Sequence, residues 1–111
     1  MIEVNPDLVI RFRLAFKLTD SLAKLLGLLA NGQVVSNDEI IAAGATVAPA
    51  VGISRLRKAL QRAEVPVRIE VGTNIGYWLS VHDKEKIMSL SEPYTLKRDL
   101  PQEVTNDVPQ S

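Results

Sequence analysis

The chain has no cysteine, so disulfides and thiolate metal sites are excluded and the redox compartment stays undetermined. Histidine is nearly absent too. His82 is the only one, and its place near an expected helix start suits a surface or capping role. No histidine and carboxylate cluster has metal-ligand spacing, and no serine sits in a nucleophile elbow. Gly72-x-x-x-Gly76 lacks the lysine and the following helix of a phosphate loop. This inventory points away from an enzyme and requires no cofactor or metal. Long apolar runs are missing as well: the longest apolar-rich stretch, Leu22 to Ala30, is far too short to span a bilayer. Met1-Ile2-Glu3-Val4-Asn5-Pro6 has no basic region followed by an apolar one, so no signal peptide is expected. A soluble, cytoplasmic protein is the expectation.

An excess of either charge is also lacking, with 13 Lys and Arg against 13 Asp and Glu. A dedicated nucleic-acid binder is usually basic. The charge is uneven, however. Residues 1–80 carry nine Lys/Arg against seven Asp/Glu, and residues 81–111 carry four against six. Local charge is what a phosphate backbone responds to, because counterion release scales with the contacts made. At 111 residues the chain is one small domain, long enough for a modest core without metal or disulfide staples.

Hydrophobic spacing and turn chemistry predict the elements. Ile2–Val4 and Leu8–Leu14 read as two strands joined by Asn5-Pro6-Asp7, with Ile10, Phe12 and Leu14 alternating against Arg11 and Arg13. Thr19 reads as an N-cap, Asp20 suits the positive helix end, and Leu22, Leu25, Leu26 and Leu29 define an amphipathic helix over 20–30 that Asn31-Gly32 ends. Leu28 falls off that stripe and is free to pack against the N-terminal strands. Val34-Val35 is a short extended step. Ser36 caps a helix over 37–43 that Gly44 closes, and Thr46 caps a third helix running to about Ala63, with Pro49 tolerated in its first turn. Val65-Pro66 stops it. Val67–Val71 and Ile75–Leu79 form a hairpin with Gly72-Thr73-Asn74 at its tip, and 81–90 adds a short helix. The expected fold is α+β: residues 1–17 as N-terminal β-strands, 18–80 as the central unit, 81–90 as the short helix and 91–111 as a disordered tail.

The third helix carries the chemistry. In Ile53-Ser54-Arg55-Leu56-Arg57-Lys58-Ala59-Leu60, the residues Ile53, Leu56, Leu60 and Ala63 fall on the core side, and Ser54, Arg55, Lys58 and Arg62 fall opposite. A cationic helix followed directly by a hairpin is the layout of a winged helix-turn-helix, most often a DNA-binding fold. Phe16-Lys17-Leu18-Thr19, Leu25-Leu26, Gly32-Gln33-Val34-Val35-Ser36, Ile53-Ser54-Arg55-Leu56-Arg57-Lys58 and Gly76-Tyr77-Trp78-Leu79 together resemble the OmpR/PhoB-type effector domain, the DNA-binding end of two-component response regulators. The resemblance covers roughly residues 8–80. It implies a β-sheet in front of three helices, a recognition helix in the major groove and a wing near the minor groove. The chain departs from the pattern in lacking a receiver domain, in its short connection Gly44-Ala45-Thr46, where the family contacts RNA polymerase, and in having Thr73 and Trp78 where the family carries basic residues. A stand-alone regulator of bacterial or phage type is implied.

Two functions follow from the same residues. In the first, the protein binds double-stranded DNA and regulates transcription: Arg55 contacts a base or phosphate, Lys58 and Arg62 hold phosphates, Ser54 shares their face, and Arg57 and Thr73 are secondary candidates. A basic helix face standing alone is ordinarily just a solvated surface, and the hairpin after it is what raises the DNA reading. The first turn of that helix is apolar: Val47, Ala48 and Val51 can touch thymine methyls but cannot read a polar pattern, so weak sequence specificity is expected. In the second, the module binds RNA polymerase or another regulator through Val47, Ala48, Val51 and Trp78. The alternation Ile75-Gly76-Tyr77-Trp78-Leu79 puts Tyr77 with the core and Trp78 outward, where it is either shielded by the C-terminal segment or an anchor for a partner. Asn74 suits the tip by its tolerance of positive φ. The oligomeric state stays open, a dimer on DNA included.

Overall fold

The computed structural model describes residues 4–31 and 33–94. Its element order is α1 (Pro6–Phe16), α2 (Asp20–Asn31), α3 (Asn37–Ala42), α4 (Pro49–Arg62), β1 (Glu70–Gly72), β2 (Gly76–Trp78) and α5 (Val81–Ser91), followed by a 3-10 turn over Glu92–Tyr94. The described residues are thus α+β, with five α-helices and a two-stranded antiparallel sheet. No helix among them is long and apolar enough to cross a membrane.

The expected N-terminal strands are corrected to a helix. Asn5 is its N-cap and accepts from the Asp7 backbone N–H, Pro6 occupies the first helical position, and Asp7 lies in the first turn. What looked like a β-turn is therefore a helix start signal. Val9, Phe12 and Phe16 are buried at i, i+3 and i+7, with the two phenyl rings 5.8 Å apart, whereas Ile10 and Leu14 face outward. The helical period won because it buries the larger set against α2, the element α1 packs on most. Ile2 and Glu3 of the other expected strand lie outside the described residues, and Val4 is not in a strand.

The next two helices begin as expected. Thr19 Oγ1 accepts from the Leu22 N–H at 3.3 Å. Ser36 and Glu39 form a reciprocal capping box, Ser36 Oγ accepting from the Glu39 N–H at 3.2 Å and Glu39 Oε1 from the Ser36 N–H at 2.9 Å. Gly44, at φ +77°, follows α3. Helix α2 ends at Asn31; Gly32, read as part of its stop, lies outside the described residues. Leu28 is fully buried.

Helix α4 starts two residues later than expected. Its N-cap is Ala48, which offers no side-chain cap, while Thr46 Oγ1 accepts from the Ala48 N–H in the turn before it. The helix ends where Glu64 takes φ +60°, ahead of Val65-Pro66. The strands are shorter than expected: only Glu70–Gly72 and Gly76–Trp78 pair, in register Glu70↔Trp78, Val71↔Tyr77 and Gly72↔Gly76. The tip turn closes with the Ile75 N–H donating to the Gly72 carbonyl at 3.0 Å, and Asn74 at φ +62° occupies the position where type II turns need positive φ. Beyond this hairpin, Val35 and Tyr77 exchange both backbone hydrogen bonds (2.8 and 2.9 Å), so the extended step before α3 adds a one-residue third strand. Gly76 makes that possible: a Cβ there would lie 2.3 Å from the Val35 carbonyl oxygen, and φ is +141°.

The C-terminal helix is one residue longer than expected. Ser80 caps it, and it runs three turns to Ser91, so the expected tail begins no earlier than the 3-10 turn; residues 95–111 lie outside the described residues. Its end is held by α1. Arg11 Nε donates to the Ser91 carbonyl at 3.0 Å and to Ser91 Oγ at 2.8 Å, and Nη2 donates to the Met88 carbonyl. Ser91 is fully buried and its hydroxyl donates to the Ile87 carbonyl. Since α5 has no basic residue in its last turn, Arg11 supplies the cation that its negative end favours.

Two substitutions test these junctions. Arg11→Met keeps an apolar stem and removes the guanidinium; it should cost about 2–3 kcal/mol in urea unfolding and raise amide exchange over 81–91 ahead of the rest. Gly76→Ala should cost about 2–4 kcal/mol, against about 1 kcal/mol for Gly44→Ala, whose added methyl meets open space.

Candidate nucleic-acid interface

Helix α4 divides cleanly into two faces. At about 100° per residue, Gly52, Ile53, Leu56, Ala59 and Leu60 occupy one arc, and all are buried. Ala63, at the C-cap, is partly buried against the same core. Gly52 brings α4 close to its neighbours: a Cβ there would lie 2.9 Å from Thr46 Cγ2 and 3.3 Å from Leu25 Cδ2 of α2. Anchoring this arc leaves Ser54, Arg55, Lys58 and Arg62 exposed on the other, as the periodicity predicts.

The cations on that outward arc are uncommitted. Among the described residues, no hydrogen bond or ion pair engages Arg55, Lys58 or Arg62, whereas Arg13 and Lys24 pair with Asp20 and Arg68 pairs with Glu70. From Pro49 to Arg62 there are four cations and no acid. Local charge density is therefore high on a chain whose formal net charge is zero. Arg55 stands at the edge of the arc, over a cleft of about 400 Å³ whose walls include Thr19, Ser21 and Thr46. The cleft lies between Arg55 and the start of α2.

No protein-family model, curated protein or solved structure matches the chain. The side chains of this face must therefore identify its ligand.

Other sequence candidates fall elsewhere. Arg57 lies on the flank between the two faces, and its Nη2 donates to the Ile69 carbonyl at 2.7 Å. It ties α4 to the segment leading into β1, a structural task. Thr73 is exposed at the hairpin tip but shares a different cleft, of about 370 Å³, with Asp38. That carboxylate disfavours an anion there. Trp78 is half-buried rather than fully outward: its Cζ3 lies 3.2 Å from where a Gly72 Cβ would be. The bare backbone of Gly72 therefore gives the indole a seat on the hairpin itself. Val47 is 89% exposed and Val51 49%, with Ala48 also exposed. His82 is exposed in the first turn of α5, whose cap is Ser80 rather than His82.

Sequence reasoning missed the exposed apolar pair on the hairpin, Val71 at 57% and Ile75 at 60%. The strand register carried the signal only once Gly76 and Tyr77 were known to face Val35. The contrast between Arg57 and Arg62 is measurable. Arg57→Ala should lower stability by about 1–2 kcal/mol, through loss of a charged hydrogen bond, while Arg62→Ala stays within about 0.5 kcal/mol of the parent.

Proposed function

We propose that this chain is a winged helix-turn-helix that binds double-stranded DNA and regulates transcription, resembling the OmpR/PhoB-type effector domain. In this reading α4 is the recognition helix and the β1–β2 hairpin is the wing. The observation that carries it is the outward arc of α4: Arg55, Lys58 and Arg62 are exposed, unpartnered within the described residues, and mounted on a helix whose opposite face packs on the core. A solvated surface helix ordinarily mixes both signs, and this one carries only cations.

Roles follow from position. Arg55, which shares a cleft with Thr19 and Ser21 at the start of α2, clamps a backbone phosphate rather than a base edge. Lys58 and Arg62 hold phosphates further along the groove, and Ser54 donates beside them. The uncapped first turn of α4, with no acid in it, presents its positive end to the duplex. The wing contributes shape more than charge, since its tip carries Thr73 beside Asp38.

A second reading, a protein-interaction module for RNA polymerase or another regulator, is favoured by one observation. Val71 and Ile75 are more than half exposed on the hairpin, where a DNA-touching wing would carry cations. The two readings use different surfaces and separate by substitution.

Three phosphate contacts predict a log–log salt slope of about −2.7, so a fourfold rise in salt should weaken duplex binding about 40-fold. Arg55→Glu with Lys58→Glu should abolish binding in a fluorescence-anisotropy titration, while unfolding free energy stays within about 0.5 kcal/mol of the parent. Unchanged duplex affinity in that double variant would remove this interface. A partner captured by the parent and by the charge variant, but lost with Val71→Asp, would establish the second reading.

A further inference from the structure

The outward face of α4 is cationic from Arg55 to Arg62 and apolar at its N-terminal end. Projected down the axis at about 100° per residue, Val51 lies within about 40° of Lys58, Arg62 and Arg55. Val47 is nearly fully exposed in the turn that leads into the helix, and Ala48 and Ala50, between Val47 and Val51 in the chain, are also exposed. From Val47 to Ile53 no side chain carries a polar atom. Val47, Ala48, Ala50 and Val51 do no core work: the core contribution of this helix comes from Gly52, Ile53, Leu56, Ala59 and Leu60. Apolar surface held in water is unfavourable by roughly 25 cal/mol per Å², which invites an apolar partner.

Among base edges in the major groove, the apolar group is the 5-methyl of thymine. It lies on the groove floor, with phosphates on both walls. An apolar tip in line with a row of cations complements that arrangement. We propose that Val47 and Val51 read thymine 5-methyl groups, so that the site selects methyl-bearing major grooves without reading a hydrogen-bond pattern. This rests on the DNA-binding reading above and supplies its specificity. Small residues at Ala48 and Ala50 let the two valines approach the base edges closely. An apolar patch on a protein partner would need an acidic surround to match the same row of cations, and the duplex provides that charge without further assumption.

The test uses the whole chain and a short alternating A·T duplex, compared with the same duplex carrying deoxyuridine in place of thymidine. The two differ only in the methyl. Affinity for the thymidine duplex should be higher by about fourfold for each methyl contacted, at constant salt. Replacing cytosine by 5-methylcytosine in a G·C duplex should raise affinity by a similar factor, because the added methyl occupies the same groove. In the double variant Val47→Ser with Val51→Ser, checked for an unchanged melting temperature, the thymidine and deoxyuridine duplexes should bind alike. Equal, salt-sensitive binding of both duplexes by the parent chain would overturn methyl reading and leave DNA binding standing. Binding of neither duplex at low salt would remove the DNA reading together with this one.

Discussion

Where the hairpin sits depends on the exchange of two hydrogen bonds between Val35 and Tyr77. Strands of three residues make too little contact to hold a two-stranded ribbon in water without support. Val35 supplies a third strand position, and the buried Ile69, Tyr77 and Leu79 supply apolar contact. Only glycine at position 76 lets the two backbones approach this closely. Because Ser36, the next residue along, opens the capping box of α3, the same few residues locate the hairpin and start a helix. Arg57 adds a second tie from α4 to the entry of β1. The angle between α4 and the hairpin, on which any joint use of the two depends, is set by these two links.

Helix α4 separates stability from interaction. Its buried arc is small and aliphatic, with Gly52 allowing close approach to α2, and its outward arc contributes nothing to the core. Charge can accumulate on that arc without weakening the fold, beyond a modest mutual repulsion. Net charge is thus a poor guide to this molecule: among the described residues, Asp20 and Glu70 lie on other elements and are paired with cations there. The potential a ligand meets is local.

Much of the proposed interface was legible in the residues. A period of 3.6 in 53–63 separates core from cation face, and the caps at Thr19 and Ser36 and the turn at Asn74 follow from side-chain chemistry that acts within a few residues. The N-terminal segment was not legible in the same way. Leu8 to Leu14 supports both an alternating pattern through Ile10, Phe12 and Leu14 and a helical one through Val9, Phe12 and Phe16. Eleven residues are too few for periodicity to decide. Asn5-Pro6-Asp7 carried the deciding signal, since the same residues serve a turn and a helix start. The seat of Trp78 was not legible for a related reason: it lies over a gap left by Gly72 on the paired strand, which only the register reveals.

The division follows the range of the interactions. Capping, turn geometry and the two faces of α4 act between residues three or four apart, and the chain encodes them locally. The helical state of residues 6–16 required α2 to receive Val9, Phe12 and Phe16, and it required Arg11 to find the carbonyls of Met88 and Ser91 at the far end of the described chain. Likewise Arg57, which periodicity places on the flank of α4, became a structural tie only when Ile69 came within hydrogen-bonding distance. No local pattern encodes a partner twelve or eighty residues away, so those assignments belong to the tertiary structure.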